Sequence, residues 1–259
     1  MNYGFWGDII LPTDYIQGWF KIPSEVLCEN GQWDEWLPSV ELQRRNDIET
    51  AACVRYTTLN AIEILQKRKY GIIADYSERY TSILTGDNIK GTTPNKVADA
   101  IRKKGLISEY LLPFDDSVHN RKEYFSPSPL PNNLTEIGTG WIKKWDFRHE
   151  WVFKPNYDDK IERLKTALKF SPVGIGVQAW TEGDGDGEGV YFRNGQDNHF
   201  TLLYGYEDND YQQYWKVFDT YDNTHKALVW EYGFQWAKRY WIGLKNDSLF
   251  SRWLLQIMC

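Results

Sequence analysis

The sequence predicts an α+β fold in which a helical lobe is followed by a sheet lobe. Three observations predict it. Before residue 105, apolar residues recur at three- and four-residue intervals in two segments. Ser126-Pro127-Ser128-Pro129-Leu130-Pro131-Asn132-Asn133 then breaks the chain, because residues before proline are pushed out of helical geometry. Beyond the break, short β-branched and aromatic runs alternate with turn residues.

Residues 1–36 hold Trp6, Trp19, Trp33 and Trp36 among turn residues and read as an N-terminal strap on the body. Residues 37–259 form the remaining domain: a helical lobe over about 37–125, a crossover over about 126–133 and a sheet lobe over about 134–259. The first helix spans about 51–69. Thr50 is its cap candidate, Ala52, Tyr56, Leu59, Ile62 and Leu65 form its apolar face, and Lys67, Arg68 and Lys69 complement the dipole before Gly71. A second helix spans 94–104, with Thr93 as cap, Pro94 at its first position and Gly105 closing it. After the crossover, one helix over about 157–169 precedes strands near 173–179, 190–193, 199–206, 214–219, 226–231 and 239–243.

Composition bounds the function. With 259 residues, 42% hydrophobic and 25% charged, the chain is long enough for a sizeable core. A net charge of −6 argues against nucleic acid as a partner, since binding phosphates calls for a clustered basic face. No apolar stretch approaches the roughly 20 residues of a membrane-spanning helix, so no membrane partner is expected. The opening residues, Met1 to Asp8, lack a basic segment followed by an apolar one. With only three cysteines, this predicts a reducing, cytoplasmic compartment, or exit by lysis or on a virion. The 13 tryptophans and 17 tyrosines are expected mainly in the core and between the lobes. No zinc spacing is present. Glu182-Gly183-Asp184-Gly185-Asp186-Gly187 mimics the start of a calcium loop, but Arg193 stands where the twelfth-position glutamate belongs, so no metal or other cofactor is expected.

Three residues carry chemistry. Cys53 falls in the first turn of its helix, where unpaired backbone N–H groups and the positive end of the dipole favour a thiolate. His199 opens the strand Asn198-His199-Phe200-Thr201-Leu202-Leu203-Tyr204, and Asp219 closes Tyr214-Trp215-Lys216-Val217-Phe218-Asp219. A nucleophile, a base and a group to orient the base are the parts of covalent acyl transfer.

Their order, and a Cys-to-His distance within the expected span of about 130–150 residues, resemble papain-type cysteine peptidases. Gly91-Thr92-Thr93-Pro94 resembles that family's Gly-Gly-x-Pro segment, Pro172-Val173-Gly174-Ile175-Gly176-Val177 its Pro-Val-rich strand, and Gly189-Val190-Tyr191-Phe192 the turn upstream of its histidine. The resemblance implies a papain-like two-lobe fold, with a helical N-terminal lobe, an antiparallel, barrel-like sheet in the C-terminal lobe and the active site in the cleft between them, and thiol-dependent hydrolysis of a peptide or protein substrate. Cys53 would be the nucleophile, His199 the base and Asp219 the orienting residue, in place of the family's asparagine. Gly91, Thr92, Gly176, Asn198, Phe200 and Tyr221 would contact substrate. Thr220-Tyr221 stand where the family has Ser-Trp, and Asp222 is the alternative third member.

The departures are as informative. Asp47 lies six residues before Cys53, where the family has its oxyanion glutamine, and cannot donate when ionised; Gln43, ten residues before, takes that role if the intervening loop is longer. Pro38 and Gln43, followed by Ala52-Cys53-Val54, resemble a divergent papain-like group of bacteriophages and mobile elements, which would imply a larger viral or host assembly as partner. Two other readings stand beside the peptidase: a Cys-His amidase or endopeptidase of cell walls, and a papain-fold binding protein without catalysis, for which Asp47 and Val54 are the signs.

Overall fold

A computed structural model describes residues 4–11, 14–17, 22–86, 91–180, 189–222 and 225–245. After a 3-10 turn at Asp34–Trp36, the chain forms a small hairpin, β1 (Arg44–Arg45) and β2 (Ile48–Glu49), joined by Asn46 and Asp47. Both turn residues have positive φ (50° and 62°), as a two-residue hairpin turn of the primed kind requires. Helix α1 (Cys53–Tyr70) follows directly.

The sequence suggests a one-faced helix, yet α1 is buried all round from Cys53 to Gln66, because it is wedged between the sheet and two other helices. Its buried polar residues find partners there. Arg55 reaches Thr85 Oγ1 at 2.7 Å, Thr57 donates to Phe200 O at 2.9 Å, and Glu63 accepts from Tyr76 N at 2.8 Å. The cap also differs: Ala52 is the N-cap residue and supplies no side-chain bond, while Thr50 Oγ1 donates to Gln43 O at 2.7 Å.

Helix α2 (Glu78–Thr85) is capped by Ser77, and α3 (Pro94–Lys104) by Thr93, whose hydroxyl accepts from Lys96 N at 3.3 Å. A short α4 (Arg121–Tyr124) precedes the proline-rich stretch, and α5 (Asn132–Lys144) follows it, packing on α3. Next come β3 (Trp145–Trp151), α6 (Lys160–Leu168), β4 (Val173–Val177), β5 (Val190–Tyr191), β6 (His199–Asp208), β7 (Gln213–Phe218), β8 (His225–Val229) and β9 (Ala237–Leu244). They form one sheet in the order β3-β9-β4-β6-β7-β8-β5, antiparallel except for the β5–β8 pair. The main core lies where α1, α3 and α6 meet this sheet. The result is an α+β molecule with helices on one side and a large, mostly antiparallel sheet on the other.

Candidate active site

Two elements meet at the site: the N-terminus of α1 and the adjoining ends of β6 and β7. Ala51, two residues before the cysteine, has φ of 52°, an uncommon conformation for alanine that turns the chain from β2 into α1. Cys53 is thereby the first helical residue, so its N–H has no acceptor within the helix. Its side chain is fully buried.

The β6–β7 ladder pairs Leu202 with Phe218, which places Asp219 beside the start of β6. His199 and Asp219 are both inaccessible to solvent, and His199 Nε2 lies 2.7 Å from Asp219 Oδ1. Cys53 lies beside the same ring, close enough to act on its protonation. With Nε2 held by the carboxylate, Nδ1 is the nitrogen turned to the thiol. Burial alone would push this imidazole below its ordinary 6.5, but the Asp219 charge and hydrogen bond, with Cys53 beside it, raise it to about 10. Burial likewise opposes the ionised form of Asp219. His199, Lys226 and Trp180 together outweigh it and hold that carboxyl below the usual range.

The second carboxylate oxygen has its own partners. Trp180 Nε1 donates to Asp219 Oδ2 at 2.6 Å, and Lys226 Nζ stands 3.6 Å from the same atom. Asp222, the alternative third member, binds Lys226 at 2.6 Å. Tyr221 packs edge-on to the His199 ring, with centroids 6.4 Å apart.

Gln43 reaches the site through the hairpin. The β1–β2 insertion lengthens the loop before Cys53, so Gln43 sits opposite Thr50 and Asp47 is left at the exposed tip, paired with Arg44 at 3.6 Å. Gln43 is fully buried: its backbone N–H donates to Thr220 O at 2.9 Å, and its amide donates to Glu49 Oε1 at 3.1 Å. Glu49 also accepts from Ala51 N at 2.8 Å. Burial raises the Glu49 carboxyl, against the pull of the hydrogen bonds it accepts and of the His199 charge.

Of the six residues assigned to substrate contact, Gly91, Thr92, Gly176 and Phe200 lie against the N-terminal strap. Thr92 N donates to Gly4 O at 2.9 Å and Trp6 N donates to Thr92 O at 3.1 Å, a parallel bridge centred on Phe5. Phe5 stacks on Phe200 with centroids 5.3 Å apart, and packs edge-on to Trp236 at 6.5 Å. A Cβ on Gly176 would meet Phe5 at 3.1 Å. Gly4 has φ of 106°, and a Cβ there would lie 2.1 Å from Ala51 O, so only glycine allows this approach to the α1 entry. Gly91 lies against Gly4 in the same way. Asn198 accepts from Ala179 N at 2.6 Å and joins β4 to β6 just before the histidine.

Glu49, Trp180, Lys226 and the strap residues Gly4 to Trp6 are site components without a sequence motif. Trp180 ends the segment after β4, where a Val-Gln-Ala-Trp run gives no hint of a carboxylate partner. Among the described residues no group of histidine, cysteine and carboxylate side chains is placed to hold a metal, and no helix is long and apolar enough to cross a membrane. The calcium-like run Glu182 to Gly187, and Cys259, lie outside the described residues. Cys28 is buried and bonded to Gln32 O at 3.0 Å and Asn30 Oδ1 at 3.1 Å.

No protein-family model matches the chain, and no curated protein matches it by sequence. Solved structures do. The bromelain protease of Ananas comosus superposes with a TM-score of 0.59 at 16% identity, covering 83% of this chain and 98% of its own. The ragweed pollen cysteine protease Amb a 11, in its proform, gives 0.57 at 17%, covering 89% and 69%. A clostridial cysteine protease, Cwp84, gives 0.63 at 13%, covering 83% and 57%. None of the three is a phage protein; the phage resemblance rests on Pro38, Gln43 and residues 52–54 alone. At such identities the likeness concerns architecture, and the architecture is the papain-like cysteine protease fold.

Proposed function

We propose that this chain is a cysteine peptidase that cleaves peptide bonds through a thioester on Cys53. The observation that carries the reading is His199 itself, with one ring nitrogen held by Asp219 and the other turned to the thiol. In this reading the Cys53 thiolate attacks the substrate carbonyl carbon, and the π electrons move onto oxygen. The Cys53 N–H and the Gln43 amide stabilise that oxyanion. Collapse breaks the C–N bond, and the proton on His199 Nδ1 leaves with the amine. Water then gives a proton to Nδ1 as it attacks the thioester, releasing the acid and restoring the thiolate. Asp219 keeps its proton affinity low throughout and stabilises the imidazolium.

The strap belongs to the same proposal. Thr92 would pair with an extended substrate, yet its N–H and C=O are taken by Gly4 and Trp6. The chain as it stands is therefore a latent peptidase, opened when residues 4–6 leave the cleft. The same contacts favour a second reading, a papain-fold binding protein whose cleft stays closed. Hydrolysis of an unfolded protein by wild type and by a Phe5→Ala variant, with Cys53→Ala as the blank, separates the two. Release of peptides that Cys53→Ala abolishes supports the peptidase. Inert protein with turnover of purified peptidoglycan instead supports the cell-wall enzyme, and no turnover of either supports the binding protein.

A further inference from the structure

A neutral third member would leave a thiolate–imidazolium pair with no net charge. Asp219 adds a negative charge in a site with no solvent access, and an uncompensated buried charge is expensive. The compensating cation is Lys226. The β7–β8 ladder pairs Lys226 with Val217, so its side chain runs along the end of β7 towards the Asp219 carboxylate. Nζ stands 3.6 Å from Asp219 Oδ2, and the side chain is 2% exposed. The ammonium lies 5.1 Å from the Trp180 ring centre and 5.7 Å from that of Tyr191, so aromatic faces stand where water would otherwise solvate it. Trp180 donates to the same Oδ2. The carboxylate is thus divided, with Oδ1 for the base and Oδ2 for the cation and the indole.

We propose that Lys226 is a positioning residue which, with Trp180, keeps Asp219 ionised and its Oδ1 aimed at His199, the counter-charge that an aspartate in this place requires. The inference rests on the peptidase reading. Among the described residues, the charged and titratable groups facing the pair are Cys53 from α1, Glu49 from β2, Tyr191 from β5, His199 from β6, Lys226 from β8, and Tyr221 and Asp222 from the turn after β7, with Arg44 of β1 beside Tyr221 and Arg121 of α4 beside Glu49. Asp222 is 44% exposed and holds Lys226 from the solvent side, so its charge is screened more than that of Asp219. Removing the Lys226 charge makes the thiolate harder to form and the imidazolium harder to deprotonate. Both changes move upward in pH.

The test is the rate of Cys53 alkylation by iodoacetamide as a function of pH, read by mass spectrometry, which reports the ion pair without turnover. Wild type should react over a plateau bounded by two titrations. In Lys226→Met both limbs should move up by about one pH unit, the scale expected of one charge at this distance in a partly screened interior. Lys226→Arg should restore them. In the Asp219→Asn background, where no carboxylate remains to be held, only the direct and weaker pull of the Lys226 charge on the ion pair is left, so Lys226→Met should move the limbs less, and this size-matched neutral pair also keeps the test valid if the single variant does not fold. Unmoved limbs in folded Lys226→Met, or equal shifts in both backgrounds, overturn the proposal while leaving the peptidase reading intact. A wild-type profile with only one rise near pH 8–9, that of a free thiol, overturns the ion pair and this inference with it.

Discussion

His199 gives Nε2 to Asp219 Oδ1 at 2.7 Å and turns its other ring nitrogen to Cys53. One hydrogen bond thereby fixes both the tautomer and the aim of the ring. Because the carboxylate helps raise the imidazole to about 10, Asp219→Asn should bring the basic limb of kcat/KM down by at least about one pH unit. The measurement is the pH–rate profile of the variant against wild type. A limb that stays in place means the carboxylate does not govern the histidine.

Phe5 is 3% exposed and fills the space beside Gly176 and Phe200. Burying such a ring contributes about 1.5–3 kcal/mol, and each 1.4 kcal/mol is tenfold in an equilibrium. Phe5→Ala should therefore raise kcat/KM on a short peptide by about 10- to 100-fold. An unchanged value would show that the strap does not limit access.

If Gln43 donates to the oxyanion as proposed, Gln43→Ala should lower kcat by about 10²–10³ while the fold survives. Steady-state kinetics alongside a thermal melt check this. If kcat holds, the donor is another group.

A cluster of carboxylic acids lies behind α1 and α2. Burial, helped by one another's charge, raises Glu41 to about 7 and Glu109 to about 8, and pushes Glu63 and Glu78 upward as well. These folded values exceed the ordinary 4.5. The native state therefore holds protons that the unfolded chain has released, so the contribution of these groups to stability is fully present at and below about pH 4.5 and is lost as pH rises through about 7 and 8. Glu78→Gln should raise Tm at pH 9, by about 2–4 °C for each kcal/mol recovered, and change it little at pH 4.5. Denaturation scans at the two pH values test this, and equal shifts at both would contradict it.

What was legible in the sequence is what local chemistry dictates. Thr93, Pro94 and Gly105 mark α3 at both ends because caps act within one turn. Cys53, His199 and Asp219 stand at element ends that periodicity locates. The strand β3 was not legible, since Trp145-Asp146-Phe147-Arg148-His149-Glu150-Trp151 carries four polar residues and is stabilised by pairing along its whole length with β9. Helix α5 contains Gly138 and Gly140, poor helix formers whose place is secured by packing on α3. Trp180 and Lys226 were invisible for a related reason: the contacts that give them meaning are made by strand register. The bond of Gly4 to Thr92 crosses most of the helical half and follows from no local pattern.

The central claim is that Cys53 is a nucleophile armed by His199. Its most direct test is covalent labelling of the folded Phe5→Ala chain at pH 6 with an epoxysuccinyl peptide, the site being read by mass spectrometry. Cys28, whose thiol burial pushes up, serves as the internal control. The account predicts one adduct, at Cys53, lost when His199→Ala is added. No adduct at Cys53 in folded protein, or labelling of Cys28 at the same rate, would contradict it.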